Sequence, residues 1–140
     1  MRLAEDEIQL FNDSLDRCIA DPAFMDVFYD AFIGGSPEVA AMFASTPMRR
    51  QKRLLKASLF TAMLAADDNH PAKEQLRRLA ERHHHFNIPP ELFDFWLESL
   101  IAAARRCGGE LDVRTEAAWR AILGIAIEFV KGEARAGEPA

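Results

Sequence analysis

The sequence predicts an all-α protein, one domain of about seven helices. Two patterns carry that expectation. Between breaks, apolar residues recur at intervals of three and four, and no run alternates with a period of two. The breaks are clusters of helix-stopping residues: Asp21-Pro22, Gly34-Gly35-Ser36-Pro37, the stretch from Ala66 to Pro71, Cys107-Gly108-Gly109 and, more weakly, Ile88-Pro89-Pro90. Size agrees. The 140 residues suit a single domain that buries about two-thirds of its unfolded surface. A composition of 49% apolar and 28% charged residues fits a folded globular chain rather than a disordered one or a coiled coil.

Each helix follows from its stripe and its punctuation. Ile8, Phe11, Leu15 and Cys18 mark the first. Asp21 as N-cap and Pro22 at the first position open the second, whose inward side is Met25, Phe28, Tyr29 and Phe32. Ser36-Pro37-Glu38 opens a short third that ends near Phe43. Pro47 starts a long fourth, with Gln51, Leu54, Leu55, Ser58, Leu59 and Ala62 on one stripe. Leu76, Leu79, Ala80 and His83 define a fifth. Pro89-Pro90 begins a sixth, with Phe93, Trp96, Leu97, Leu100 and Ala104 inward. Trp119, Ile122, Leu123, Ala126 and Val130 carry the seventh. Gly132 to Ala140 is small and polar, so the domain is expected over 1–132 and a fraying tail over 133–140.

Charge and cysteine usage remove several function classes. A net charge of −5 disfavours nucleic-acid binding, which rests on phosphate contacts. It gives no attraction to anionic lipid either. Cys18 and Cys107 are far apart and in no CxxC pair, against a disulfide framework or a thiolate metal site. No apolar run reaches the length of a membrane span. Met1 to Gln9 lacks a signal-peptide core. A reduced, cytoplasmic protein with no nucleic-acid and no membrane partner is expected.

The polar residues on apolar stripes point to chemistry. In the run His83-His84-His85 successive side chains diverge by about 100°, so the three cannot converge on one ion. His83 falls about 15° from the centre of the Leu76, Leu79, Ala80 stripe, His84 about 90° and His85 about 170° away. His83 therefore points inward, either as a core histidine bonded to a backbone carbonyl or as a ligand. With no second inward His, no thiolate pair and no HExxH, it cannot build a zinc site. It suffices for haem, where the porphyrin supplies the other four donors. Gln51 shares a stripe with Leu55, Ser58 and Ala62, an unusual place for an amide unless it meets a ligand or partner group. Tyr29, the chain's one tyrosine, needs an inside partner for its hydroxyl.

Taken in order, these residues resemble the globin family over nearly the whole chain. Phe28-Tyr29-Asp30-Ala31-Phe32, Pro37-Glu38 and Met42-Phe43 are similar to the second and third helices of bacterial globins. Gln51-Lys52-Arg53-Leu54-Leu55 resembles the start of the distal helix. The stretch from Leu79 to Glu91 resembles the proximal motif, and Ala118-Trp119 the early last helix. The resemblance implies a globin fold around a haem pocket, with haem b as cofactor and His83 as its iron ligand. It implies Phe43 packing on the haem face, Leu55 one turn beyond Gln51, and Tyr29 and Gln51 as distal donors to a diatomic gas. Phe28, Leu59, Leu79, Ile88, Phe93, Trp96 and Leu123 are inward by phase and serve as haem contacts or plain core. Arg82 or His84 reaches a haem propionate, or Arg82 sits on a solvated face.

The distal Tyr and Gln place the resemblance in the bacterial single-domain and flavohaemoglobin-type branch. Two donors would slow O₂ loss by about 10²-fold, at about 1–2 kcal/mol each. That branch implies NO dioxygenation with an external reductase as a further activity. Two departures weigh against it. Phe93 stands where flavohaemoglobins carry a proximal Tyr, and Glu133 or Ala134 lies near their Glu position, out of register, so the push on the iron ligand is weaker. The 140 residues contain no reductase and no output domain. A gas sensor acting on a signalling partner and a haem-free regulator with His83 as mere core remain the alternatives.

Overall fold

The computed structural model describes residues 5–84, 88–109 and 111–136. Among them seven α-helices follow one another: α1 (Glu5–Ala20), α2 (Phe24–Gly34), α3 (Pro37–Met42), α4 (Met48–Ala66), α5 (His70–His84), α6 (Pro90–Arg106) and α7 (Val113–Ala136). α7 thus continues into the segment read as a fraying tail, and 137–140 lie outside the described residues.

Side-chain caps set the starts of α3, α5 and α7. Ser36 has an extended backbone, its side chain accepts the Val39 N–H at 3.3 Å, and Pro37 follows at the first helical position. Asn69 caps α5 by accepting the Ala72 N–H at 2.9 Å. Asp112 caps α7 by accepting the Thr115 N–H at 2.8 Å, and its bonds to Thr115 hold the carboxyl below its ordinary pKa. The second helix corrects the sequence expectation. Asp21 takes the Ala23 N–H on its carboxylate at 2.9 Å and the Phe24 N–H on its carbonyl at 3.1 Å. Pro22 and Ala23 therefore form a separate tight turn, and α2 begins only at Phe24.

The core is centred on Trp119, which is fully buried. Phe11 of α1 meets its ring edge-on at 4.9 Å and Phe24 of α2 at 6.5 Å. Its indole Nε1–H donates to Ser14 Oγ at 2.7 Å. The Ser14 hydroxyl in turn donates to the carbonyls of Leu10 and Phe11 at 2.9 and 3.0 Å. A buried polar pair is thus fully satisfied, and it ties α1 to α7.

Two glycines permit close approaches. A Cβ on Gly35 would meet the Phe95 ring at 2.6 Å, so glycine lets the end of α2 settle on α6. Gly108 has φ +56°, and a Cβ there would lie 2.6 Å from Cys18 Sγ. The corner after α6 therefore sits directly on the end of α1, where Arg17 Nε donates to the Gly108 carbonyl at 2.9 Å.

On α4, Leu55, Leu59 and Ala62 are buried, but Leu54 is 48% exposed. The sequence stripe was one residue too wide, since Leu54 lies about 100° round the helix from Leu55. On α6 the fully buried apolar face is Leu92, Leu100, Ile101, Ala103 and Ala104. Phe93, Trp96 and Leu97, expected inward, are only half-buried. Phe93 and Trp96 border the site described next.

Candidate functional site

α5 packs against α4 and α7, and α2 packs against α6. This arrangement leaves two separate clusters of buried apolar residues. The larger includes Phe28, Tyr29, Phe32, Leu55 and Trp119; the smaller is Ala65, Ala72 and Leu76. Leu79 packs on the smaller cluster, whereas Phe43, Ile88 and Trp96 pack on the larger. All four are half-buried, as is Phe93. Large apolar side chains are thus left partly open along the margins of both clusters, as in a site shaped for an apolar ligand.

His83 belongs to this margin. Leu76 and Ala80 beneath it are buried, as the helical phase required. Its Nδ1 lies 2.8 Å from the Leu79 carbonyl. A carbonyl oxygen only accepts, so Nδ1 must carry the proton. Burial lowers the imidazole pKa, the Leu79 bond partly opposes that, and the Arg82 charge adds to it. The ring is therefore neutral, with its lone pair on Nε2, the tautomer a metal ligand needs. Nε2 has no hydrogen-bond partner among the described residues, where no fully buried side-chain N or O atom lacks one. It is therefore not fully enclosed. The Phe93 ring lies beside it, centroids 6.2 Å apart, with Lys131 Nζ 5.8 Å from that ring's centroid.

The second half of the site comes from α2, α3 and α4. Tyr29 is 4% exposed. Its ring meets Phe28 at 4.8 Å and Phe43 at 6.0 Å, both edge-on. Its hydroxyl donates to the main-chain carbonyl of Gln51 at 3.4 Å, longer than an ordinary O–H···O bond. Burial pushes the phenol pKa up to about 12, the Gln51 side chain partly opposing. Gln51 is half-buried and Leu55 buried one turn on. Phe28 stacks on Phe32 at 5.4 Å and meets Trp96 at 6.4 Å. Phe93 and Trp96, one turn apart on α6, therefore connect the His83 side to the Tyr29 side.

Of the residues expected from sequence, Phe28, Tyr29, Phe43, Gln51 and Trp96 form one group, with Leu55 and Ile88 in or on the same cluster, and Leu79, His83 and Phe93 form another. Arg82 is exposed and makes no described bond into the site. Leu59 and Leu123 are deep core. The His84 side chain, His85 and the side chains of Glu133 and Ala134 lie outside the described residues. Sequence reasoning missed Asp26 and Lys52, which form an ion pair between α2 and α4 beside Tyr29. Nothing in a sequence separation of that length announces such a pair.

The globin family model matches residues 19–129. The chain belongs to the globin family. A crystal structure of the protein PA3967 from Pseudomonas aeruginosa PAO1, described as structurally highly homologous to a human haemoglobin, superposes with a TM-score of 0.86. It is 33% identical, and the match covers 91% of this chain and 97% of that one. None of the curated proteins matches. The all-α globin fold expected from the sequence is thereby shown, and membership supports a haem-binding function.

The residues of this globin fit haem. Among the described residues no group of three His, Cys, Asp or Glu side chains could hold a bare metal ion. One neutral imidazole with an open Nε2 serves an iron whose other donors are already supplied. The half-open apolar margin suits a flat macrocycle.

Proposed function

We propose that this globin binds haem b through His83 Nε2 and takes up a diatomic gas, O₂ with NO and CO as related ligands, beside Tyr29 and Gln51. The observation that carries the reading is the His83 imidazole, neutral, locked in tautomer by Leu79 and open at Nε2. Haem supplies the iron at which the gas binds. The chain's own residues do the rest. Leu79 holds the imidazole plane. Phe43, Ile88, Phe93 and Trp96 exclude water. The Tyr29 hydroxyl can turn its one proton from the Gln51 carbonyl to the gas.

The partner of His83 Nδ1 is a main-chain carbonyl, a neutral acceptor, with Phe93 alongside. An anionic partner would make the ligand more basic and favour turnover. This arrangement favours gas binding over NO dioxygenation, which would in addition draw on an external reductase. No described helix is long and apolar enough to cross a membrane, and we place the protein in the cytoplasm.

The test is the visible spectrum of haem-supplemented protein, ferric, ferrous and ferrous plus CO, for wild type and His83→Ala. One haem per chain, a Soret band that shifts on CO, and its loss or alteration in the variant are expected. A colourless wild type at saturating haem would overturn the reading and leave the haem-free regulator.

A further inference from the structure

We propose that the open groove between α2 and the start of α4 is the path by which a diatomic gas reaches the Tyr29 hydroxyl, with the Asp26–Lys52 ion pair as its latch. The inference rests on the gas-binding reading above.

The groove is lined by Asp26, Tyr29, Asp30, Ile33 and Gly34 of α2 and by Met48 and Lys52 of α4, and encloses about 330 Å³. That is about ten times the share of one water molecule in the liquid, ample for a diatomic gas. Its floor is Tyr29, the one groove residue whose ring also packs edge-on in the interior aromatic group, against Phe28 and Phe43. Tyr29 therefore reaches from the groove to the aromatic group that Phe28 extends to Trp96. Its hydroxyl bonds the Gln51 carbonyl at a long 3.4 Å, beside the Gln51 side chain. A small ring movement breaks little.

Lys52 Nζ bonds the Asp26 carboxylate across the groove, with side-chain exposures of 35% and 61%. A pair this exposed favours the closed arrangement by about fivefold at most. It is weak enough to open thermally, and Lys52 directly follows Gln51 in the first turns of α4. At Gly34 an added Cβ meets nothing within 4 Å. Gly34 lines the groove, so a side chain added there starts from unobstructed space at its rim.

A path is used in both directions. Widening or plugging it changes association and dissociation by one factor and leaves their ratio alone, since no contact to the bound gas has changed. A hydrogen-bond donor instead alters dissociation. The experiment compares Asp26→Ala, Lys52→Ala and Gly34→Phe with wild type in the haem-loaded protein. O₂ association is read by flash photolysis and dissociation by stopped-flow displacement with CO. Nitration of Tyr29 by tetranitromethane, read by mass, gives a second readout that needs no haem.

The two latch variants should raise both rate constants about two- to fivefold at constant ratio and speed nitration. Gly34→Phe should lower both and slow nitration. Wild-type gas kinetics in a folded Gly34→Phe protein, or a change confined to dissociation, would overturn the path. Should Gly34→Phe not fold, unchanged rates in both latch variants would overturn it equally. If no variant or wild type retains haem, the haem reading fails by itself, and nitration rates unchanged across the series would then reject the groove as the way in.

Discussion

Replacing Tyr29 with Phe removes one oxygen and keeps the ring. The ring contacts to Phe28 and Phe43, at 4.8 and 6.0 Å, survive. The lost partner is the Gln51 main-chain carbonyl, reached at 3.4 Å and already inside α4, so no buried group is orphaned. The stability loss should stay at or below about 1 kcal/mol, the worth of a modest hydrogen bond. The kinetic effect is larger. A neutral donor to the bound gas contributes about 1 kcal/mol, and about 2 where the acceptor carries charge. Its loss should speed O₂ dissociation by about 5- to 30-fold. Association should change less. The assay is stopped-flow displacement of O₂ by CO, with flash photolysis for association and thermal unfolding as the check on folding. An unchanged dissociation rate in a haem-loaded, folded variant would refute the distal role of Tyr29. An equal rise in both rates would show instead that the phenol acts only as the groove floor.

Two further predictions concern stability. Ser14→Ala leaves the indole N–H of fully buried Trp119 without its 2.7 Å partner. The expected loss is about 1–3 kcal/mol, or about 3–10 °C in Tm, by calorimetry. Tyr29 also gives an alkaline signature. Its pKa rises from 10.0 to about 12 on folding, mainly through burial. Above about pH 10 the unfolded chain releases this proton while the folded one keeps it. The associated stability is present below that pH and is lost as pH rises toward 12. Denaturant titrations from pH 9 to 11.5 should show the decline in wild type and a shallower one in Tyr29→Phe. Identical slopes would refute the assignment.

How much of this was legible in the sequence differs from element to element. Ser36-Pro37 opened α3 as read, because an N-cap and its acceptor lie within four residues of each other. His83 pointed inward as read, because residues of one helix share a phase whatever surrounds them. Asp21-Pro22 misled, since the same Asp can cap a helix or a turn, and only packing decided for the turn. Leu54 misled because its hydropathy matches that of its buried neighbour Leu55, while α4 buries a narrower stripe. Phe93 and Trp96 were placed inward by phase. Phase does not distinguish a fully packed position from the wall of a half-open site.

The sequence by itself determined the helices, the break points, the inward imidazole and the membership that these imply in order. All are local in cause, set by caps, by Pro and Gly, and by a period of 3.6 residues. Tertiary structure alone decided the contacts across long separations. It set the Ser14 hydroxyl under the Trp119 indole, the Tyr29 hydroxyl against the Gln51 carbonyl, and Asp26 beside Lys52. It also left the two apolar clusters unmerged. Such contacts depend on how whole helices cross, and that geometry emerges from the summed packing of many side chains rather than from any residue's neighbours in the chain.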